Sequence, residues 1–91
     1  VLEVGAGWGG PSRYIAFKTR ANVSALELQQ DYSEVGKELT LKTGLESFVT
    51  HINEDFLNYS RKDTCFDKIV SWLALYIFLI GKNILKNFLT C

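Results

Sequence analysis

The chain begins Val1-Leu2-Glu3-Val4-Gly5-Ala6-Gly7-Trp8-Gly9-Gly10-Pro11, an apolar run that breaks into four glycines and then a proline. Val1 to Val4 reads as a buried strand. Pro11 suits the first turn of a helix, where its missing N–H costs nothing. A glycine cluster between a strand and a helix start lets backbone approach a ligand closely, and it aims unpaired helix N–H groups at negative charge. A mere tight turn needs one or two glycines, so the cluster points to a nucleotide-like cofactor.

Working outward, a helix runs from Pro11 to about Thr19, and Asn22 to Leu28 is compatible with a second strand buried on both faces. From Gln30 to Thr43 the spacing of Tyr32, Val35 and Leu39 predicts an amphipathic helix with those three as its apolar stripe, closed by Gly44 at the C-cap. Gly36 within it costs about 1 kcal/mol relative to alanine. Phe48 to Ile52 reads as a third strand, Asn53-Glu54-Asp55 as the turn after it, and Phe66 to Leu73 as a fourth strand. After Gly81, Ile84, Leu85, Phe88 and Leu89 form a helical stripe with Lys82 and Lys86 on the polar side. The order βαβαββα is that of an α/β fold.

Composition narrows the partners. The 91 residues allow one domain, and ten Lys plus Arg against ten Asp plus Glu leave no electrostatic footprint for nucleic acid or an anionic membrane. Small molecules or proteins are the expected partners. Cys65, Cys91 and the single His51 support neither a disulfide framework nor a metal site, which favours a cytoplasmic setting. His51 reads as a partly exposed strand residue with no assigned chemistry. The longest apolar run, Ile69 to Ile80, is shorter than the roughly 20 residues that cross a bilayer. A start at Val1, without Met and already in a strand, is expected of a piece of a longer polypeptide.

The glycines fit two patterns. Gly5, Gly7 and Gly10 satisfy the G-x-G-x-x-G of dinucleotide binders, whereas Gly5, Gly7 and Gly9 satisfy G-x-G-x-G. With Glu3 two positions before the first glycine, the stretch resembles the first motif of the class I S-adenosylmethionine-dependent methyltransferases. Gly10-Pro11-Ser12-Arg13-Tyr14-Ile15-Ala16 is similar to its small-molecule branch, including glycine, sarcosine and dimethylglycine N-methyltransferases. Glu27 ends the second strand twenty positions after Gly7, where an acid accepts both ribose hydroxyls in either cofactor family.

The resemblance implies a Rossmann-like, doubly wound sheet of strand order 3-2-1-4. Residues 1–91 would then be the N-terminal part of a methyltransferase cofactor-binding domain whose C-terminal strands are missing. It implies S-adenosyl-L-methionine as cofactor and methyl transfer to a small-molecule acceptor, such as glycine, sarcosine or dimethylglycine. Gly5, Gly7 and Gly9 would meet the amino-acid moiety, and Glu3 would orient the turn or pair with the cofactor ammonium through water. Glu27 would fix the ribose, Leu28 would pack on the adenine, Asp55 would take the adenine amino group, and Phe56 would lie beside the ring. Ser71 and Trp72 would border the methionine end. In such relatives a polar residue follows the Leu-Tyr pair; here Ile77 and Phe78 follow Tyr76, the acceptor-side candidate. Competing readings are a nicotinamide- or flavin-binding Rossmann fragment, which Glu3 and Asp55 disfavour, and a non-catalytic truncated fragment of the methyltransferase fold.

Overall fold

Alternation along the first strand sets the two sides of the sheet. In the computed structural model, which describes residues 1–56, 59 and 66–71, β1 (Leu2–Val4) turns Leu2 and Val4 to one face and Glu3 to the other, all three buried. It is followed by α1 (Gly10–Thr19), β2 (Val23–Glu27), α2 (Gln30–Lys42), β3 (Val49–Asn53) and β4 (Ile69–Val70). The sheet order is β3-β2-β1-β4, with every pairing parallel. This is the expected order. Glu3 lies in register with Ala25, and Ala25 with His51, so these three positions form a row across the sheet.

Both faces are buried, as a parallel sheet requires. Leu2, Val4, Leu26, Phe56 and Phe66 form one core cluster, joined by Ile52, Tyr59 and Ile69. On the other face Ala16 of α1 packs with Ala6, Val23, Ala25 and Val49. Small side chains there let the helix approach the sheet closely.

The strand and helix limits lie within a residue or so of those expected, except at β4. There Phe66 is buried in the core and the Leu2 N–H bonds the Lys68 carbonyl before pairing begins. Among the described residues β4 is therefore confined to Ile69–Val70. Trp72, Tyr76, Ile77, Phe78 and the stripe expected from Ile84 to Leu89 lie outside the described residues.

The buried face of α2 differs from the expected one. Tyr32 and Val35 are exposed, while Ser33, Gly36 and Thr40 are buried. The reason is steric: the His51 imidazole stands on β3 beneath Gly36, and only small residues let the helix close over it. A Cβ at Gly36 would lie 2.6 Å from His51 Cε1 and 3.1 Å from the Trp8 carbonyl oxygen.

Candidate functional site

The glycine turn leaves β1 at the carboxyl edge of the sheet, where open α/β folds bind ligands. Gly5, Gly7 and Gly9 have φ of 72°, 57° and 83°, a left-handed backbone that side chains disfavour. Gly10 is already the first residue of α1 and does not share that conformation. The geometry is that of G-x-G-x-G, because the conformationally special third glycine is Gly9. It is also crowded: a Cβ at Gly9 would lie 2.6 Å from His51 Cε1 and 3.0 Å from Arg13 Nη1.

Glu27 fastens this turn. Its Oε1 accepts the Gly7 N–H at 2.7 Å and its Oε2 accepts the Gln29 N–H at 2.9 Å, so one buried carboxylate ties the glycine turn to the start of α2. The N–H groups of Gly5 and Ala6 bond the Leu26 carbonyl at 2.9 Å, which seats the beginning of the turn on β2. Gly9 N–H closes a turn onto the Ala6 carbonyl at 2.8 Å.

Glu3 lies beneath the turn, fully buried. Its Oε1 accepts the Ser12 hydroxyl, linking β1 to α1, while Oε2 has no hydrogen-bond partner among the described residues. Burial pushes the Glu3 carboxyl above the usual carboxylate value, against the lowering effects of Ser12 and the Arg13 charge.

An open cleft lies between the ends of β1 and β2. Val4, Gly5, Leu26 and Phe56 form apolar parts of its wall, and Glu27, Leu28 and Glu54 line it as well. Leu28 is 63% exposed, whereas Phe56 is buried against Leu2 and Val4. Asp55, half-buried, sits between Glu54 and Phe56. Asn53 Nδ2 donates to the Glu27 and Leu28 carbonyls at 2.9 and 3.0 Å, bracing the end of β2. On the far side of β1, the Ser71 hydroxyl donates to the Val4 carbonyl at 2.9 Å. The turn, the acid of β2, Leu28, Asp55, Phe56 and Ser71 thus gather at one sheet edge. Trp72 lies outside the described residues.

Sequence reasoning missed the side chains that support the turn. Arg13 Nη1 donates to the Trp8 carbonyl at 2.6 Å and to Thr40 Oγ1 at 3.3 Å, and Thr40 Oγ1 lies 2.7 Å from His51 Nε2. Gly36, an unfavourable residue in mid-helix, was the one signal that something bulky packs there. Glu54 was also missed, since the turn after β3 offers two adjacent acids and chain position does not say which faces the cleft.

A parallel sheet with a glycine turn after its first strand and an acid at the end of its second defines a Rossmann-like fold. Comparison with known proteins narrows it further: the family model described as a methyltransferase domain matches residues 1–90, and the chain belongs to that family. It is 41% identical over 70 residues to a sterol 24-C-methyltransferase of Eremothecium gossypii, covering 76% of this chain and 18% of that protein. It is 31% identical over 71 residues to a sarcosine/dimethylglycine N-methyltransferase of Halorhodospira halochloris, covering 78% of this chain and 25% of the relative. The chain therefore spans a quarter or less of the length of these two relatives. Its fold is similar to that of an S-adenosylmethionine-dependent methyltransferase from Thiobacillus denitrificans solved with S-adenosyl-L-homocysteine. That match has a TM-score of 0.80 and 22% identity, and covers 98% of this chain and 37% of that one. Among the described residues, no helix is long and apolar enough to cross a membrane.

Proposed function

We propose that this chain carries the cofactor-binding part of an S-adenosyl-L-methionine-dependent methyltransferase acting on a small-molecule acceptor. The observation that carries the reading is the Glu27 carboxylate, which holds the Gly5-Gly7-Gly9 turn while facing the cleft. Each of its oxygens takes one backbone N–H and keeps a second lone pair, so the pair of ribose hydroxyls finds acceptors without dismantling the turn. The mixed wall of Leu26, Leu28 and Phe56 beside Glu54 suits an adenine ring with a polar edge.

On this reading Gly5, Gly7 and Gly9 pass the backbone along the amino-acid moiety, and Glu3 acts from below by fixing Ser12 and the start of α1. Leu28 and Phe56 flank the adenine, Asp55 takes its amino group, and Ser71 with Trp72 borders the methionine end. The cofactor supplies a methyl group already activated by its sulfonium. The protein contributes alignment and exclusion of water, and holding two reactants in attack geometry is worth about 7–11 kcal/mol. No proton relay or metal is required for that contribution.

For the acceptor, the likeness to sarcosine/dimethylglycine N-methyltransferase supports a small amine such as glycine, sarcosine or dimethylglycine. The 41% identity to a sterol methyltransferase favours a second reading, an apolar sterol-like acceptor. Calorimetry on the protein in its natural length tests the cofactor: S-adenosylhomocysteine binding without NADH binding is expected, and the reverse overturns the proposal. Methyl-transfer assays with sarcosine, dimethylglycine and a sterol in parallel separate the two acceptor readings.

A further inference from the structure

Three elements converge on the helix side of the glycine turn: α1 brings Arg13, α2 brings Thr40 and Gly36, and β3 brings His51. None of these lines the cleft. The imidazole occupies the space that a Cβ at Gly9 or at Gly36 would take, 2.6 Å from His51 Cε1 in each case. The ring is thus enclosed between the turn and the helix. Arg13 Nη1 holds the Trp8 carbonyl at 2.6 Å and reaches Thr40 Oγ1 at 3.3 Å, and Thr40 Oγ1 meets His51 Nε2 at 2.7 Å.

The donors and acceptors assign a direction. Arg13 is donor only, so the Thr40 hydroxyl accepts from it, and among the described residues the acceptor within reach of the hydroxyl's own proton is His51 Nε2. The ring is then neutral with its proton on Nδ1, a buried atom with no partner among the described residues. An imidazolium would donate from Nε2, take away the acceptor of the Thr40 hydroxyl proton and set a second positive charge close to Arg13.

We infer that His51, Thr40 and Arg13 form a relay that fixes the Trp8–Gly9 peptide of the glycine turn and releases it when the imidazole takes a proton. They are positioning residues for cofactor binding. The consequence for binding rests on the cofactor reading above, whereas the relay itself does not.

Burial and the charged groups of α1 and α2 work against charging of the ring. Burial lowers the His51 pKa most, followed by Arg13 of α1 and Lys37 of α2, while the β2 residue in register with it is the uncharged Ala25. Depression below the ordinary value means that the relay is intact at neutral pH and fails on acidification.

Two readouts on the natural-length protein test this. The first is protection of the Gly9 amide from hydrogen exchange without ligand, since that amide bonds the Ala6 carbonyl inside the turn. The second is affinity for S-adenosylhomocysteine as a function of pH. In the wild type both hold steady down to about pH 6.5, the ordinary imidazole value, and fall by up to about tenfold below it, the scale of one charge-assisted hydrogen bond. Thr40→Val lowers both at neutral pH and removes the further fall, His51→Gln flattens both profiles, and Thr40→Ser keeps the wild-type profile. Should Thr40→Val fail to fold, the His51→Gln profile makes the same decision.

A His51→Gln protein that follows the wild-type pH profile of Gly9 protection overturns the relay. Wild-type protein that binds no S-adenosylhomocysteine at any pH, yet shows the expected pattern in Gly9 protection, upholds the relay and overturns the cofactor reading.

Discussion

The backbone N–H of Gly7 meets the Glu27 carboxylate at 2.7 Å across twenty positions of chain, which makes the shape of the glycine turn depend on one acid at the end of the neighbouring strand. The same carboxylate caps the approach to α2 through Gln29. Glu27→Ala leaves two backbone donors without their charged acceptor and takes away the proposed ribose contact. Urea unfolding is expected to show a loss of about 1.5–3 kcal/mol, the range for hydrogen bonds to charged groups. S-adenosylhomocysteine binding weakens by about 1–3 kcal/mol in calorimetry. Unchanged stability would show that the Gly7 bond contributes nothing.

Gly36→Ala reverses the usual helix rule. In an open helix the substitution gains about 0.5–1 kcal/mol. Here the new methyl group meets His51 Cε1 at 2.6 Å and the Trp8 carbonyl at 3.1 Å. A net loss of about 1–3 kcal/mol is expected from overpacking. Combining it with His51→Ala recovers part of that loss, and a double-mutant cycle by chemical denaturation reads the coupling.

Gly9→Ala and Gly10→Ala separate two neighbouring glycines. Gly9 combines a φ of 83° with a Cβ contact of 2.6 Å to His51 Cε1, whereas Gly10 is helical and has nothing within 4 Å. Gly9→Ala destabilises the fold by about 1–3 kcal/mol, since it adds backbone strain. Gly10→Ala is neutral or gains a few tenths, as helix propensity dictates. Equal thermal shifts for the two would contradict this geometry.

Glu3 carries the opposite sign to a salt-bridged acid. Its pKa is raised by burial, so the folded state holds the proton more tightly than the unfolded chain does. Its contribution is therefore complete below the ordinary carboxyl value and is lost as pH rises through the raised one. Glu3→Gln keeps the shape and an acceptor for Ser12 while removing the charge. Stability at neutral pH rises by about 1 kcal/mol, and the gain over wild type shrinks as the pH is lowered toward 4. Urea titrations at several pH values check it.

The elements and the turn were legible because they are written in strong local signals: an apolar strand, four glycines and a proline at one end, and apolar runs spaced by helical stretches; the strand order came from the family resemblance. The inner face of α2 was not legible. Tyr32 and Val35 have the apolar character expected of a core stripe, yet Ser33, Gly36 and Thr40 are buried instead. Hydrophobic periodicity assumes that a helix buries oil, and here it buries space for a ring. His51 is the partly exposed strand residue expected, but its partners come from α1 and α2, and no local pattern announces a contact made across three elements. At the site, its spacing from the glycine motif singled out Glu27, whereas its double grip on Gly7 and Gln29 is a contact across two elements that no spacing announces.

Gly9, Gly36 and His51 share one volume, although they belong to a turn, a helix and a strand. Such positions cannot drift independently over evolutionary time. A lineage that replaces His51 by a small residue opens room at both glycines at once, and a lineage that keeps the imidazole is held to glycine at position 36 even though alanine makes the better helix. Across related sequences, side-chain size at 36 and 51 should vary inversely, so inheritance at two positions with no sequence neighbourhood records a single steric contact.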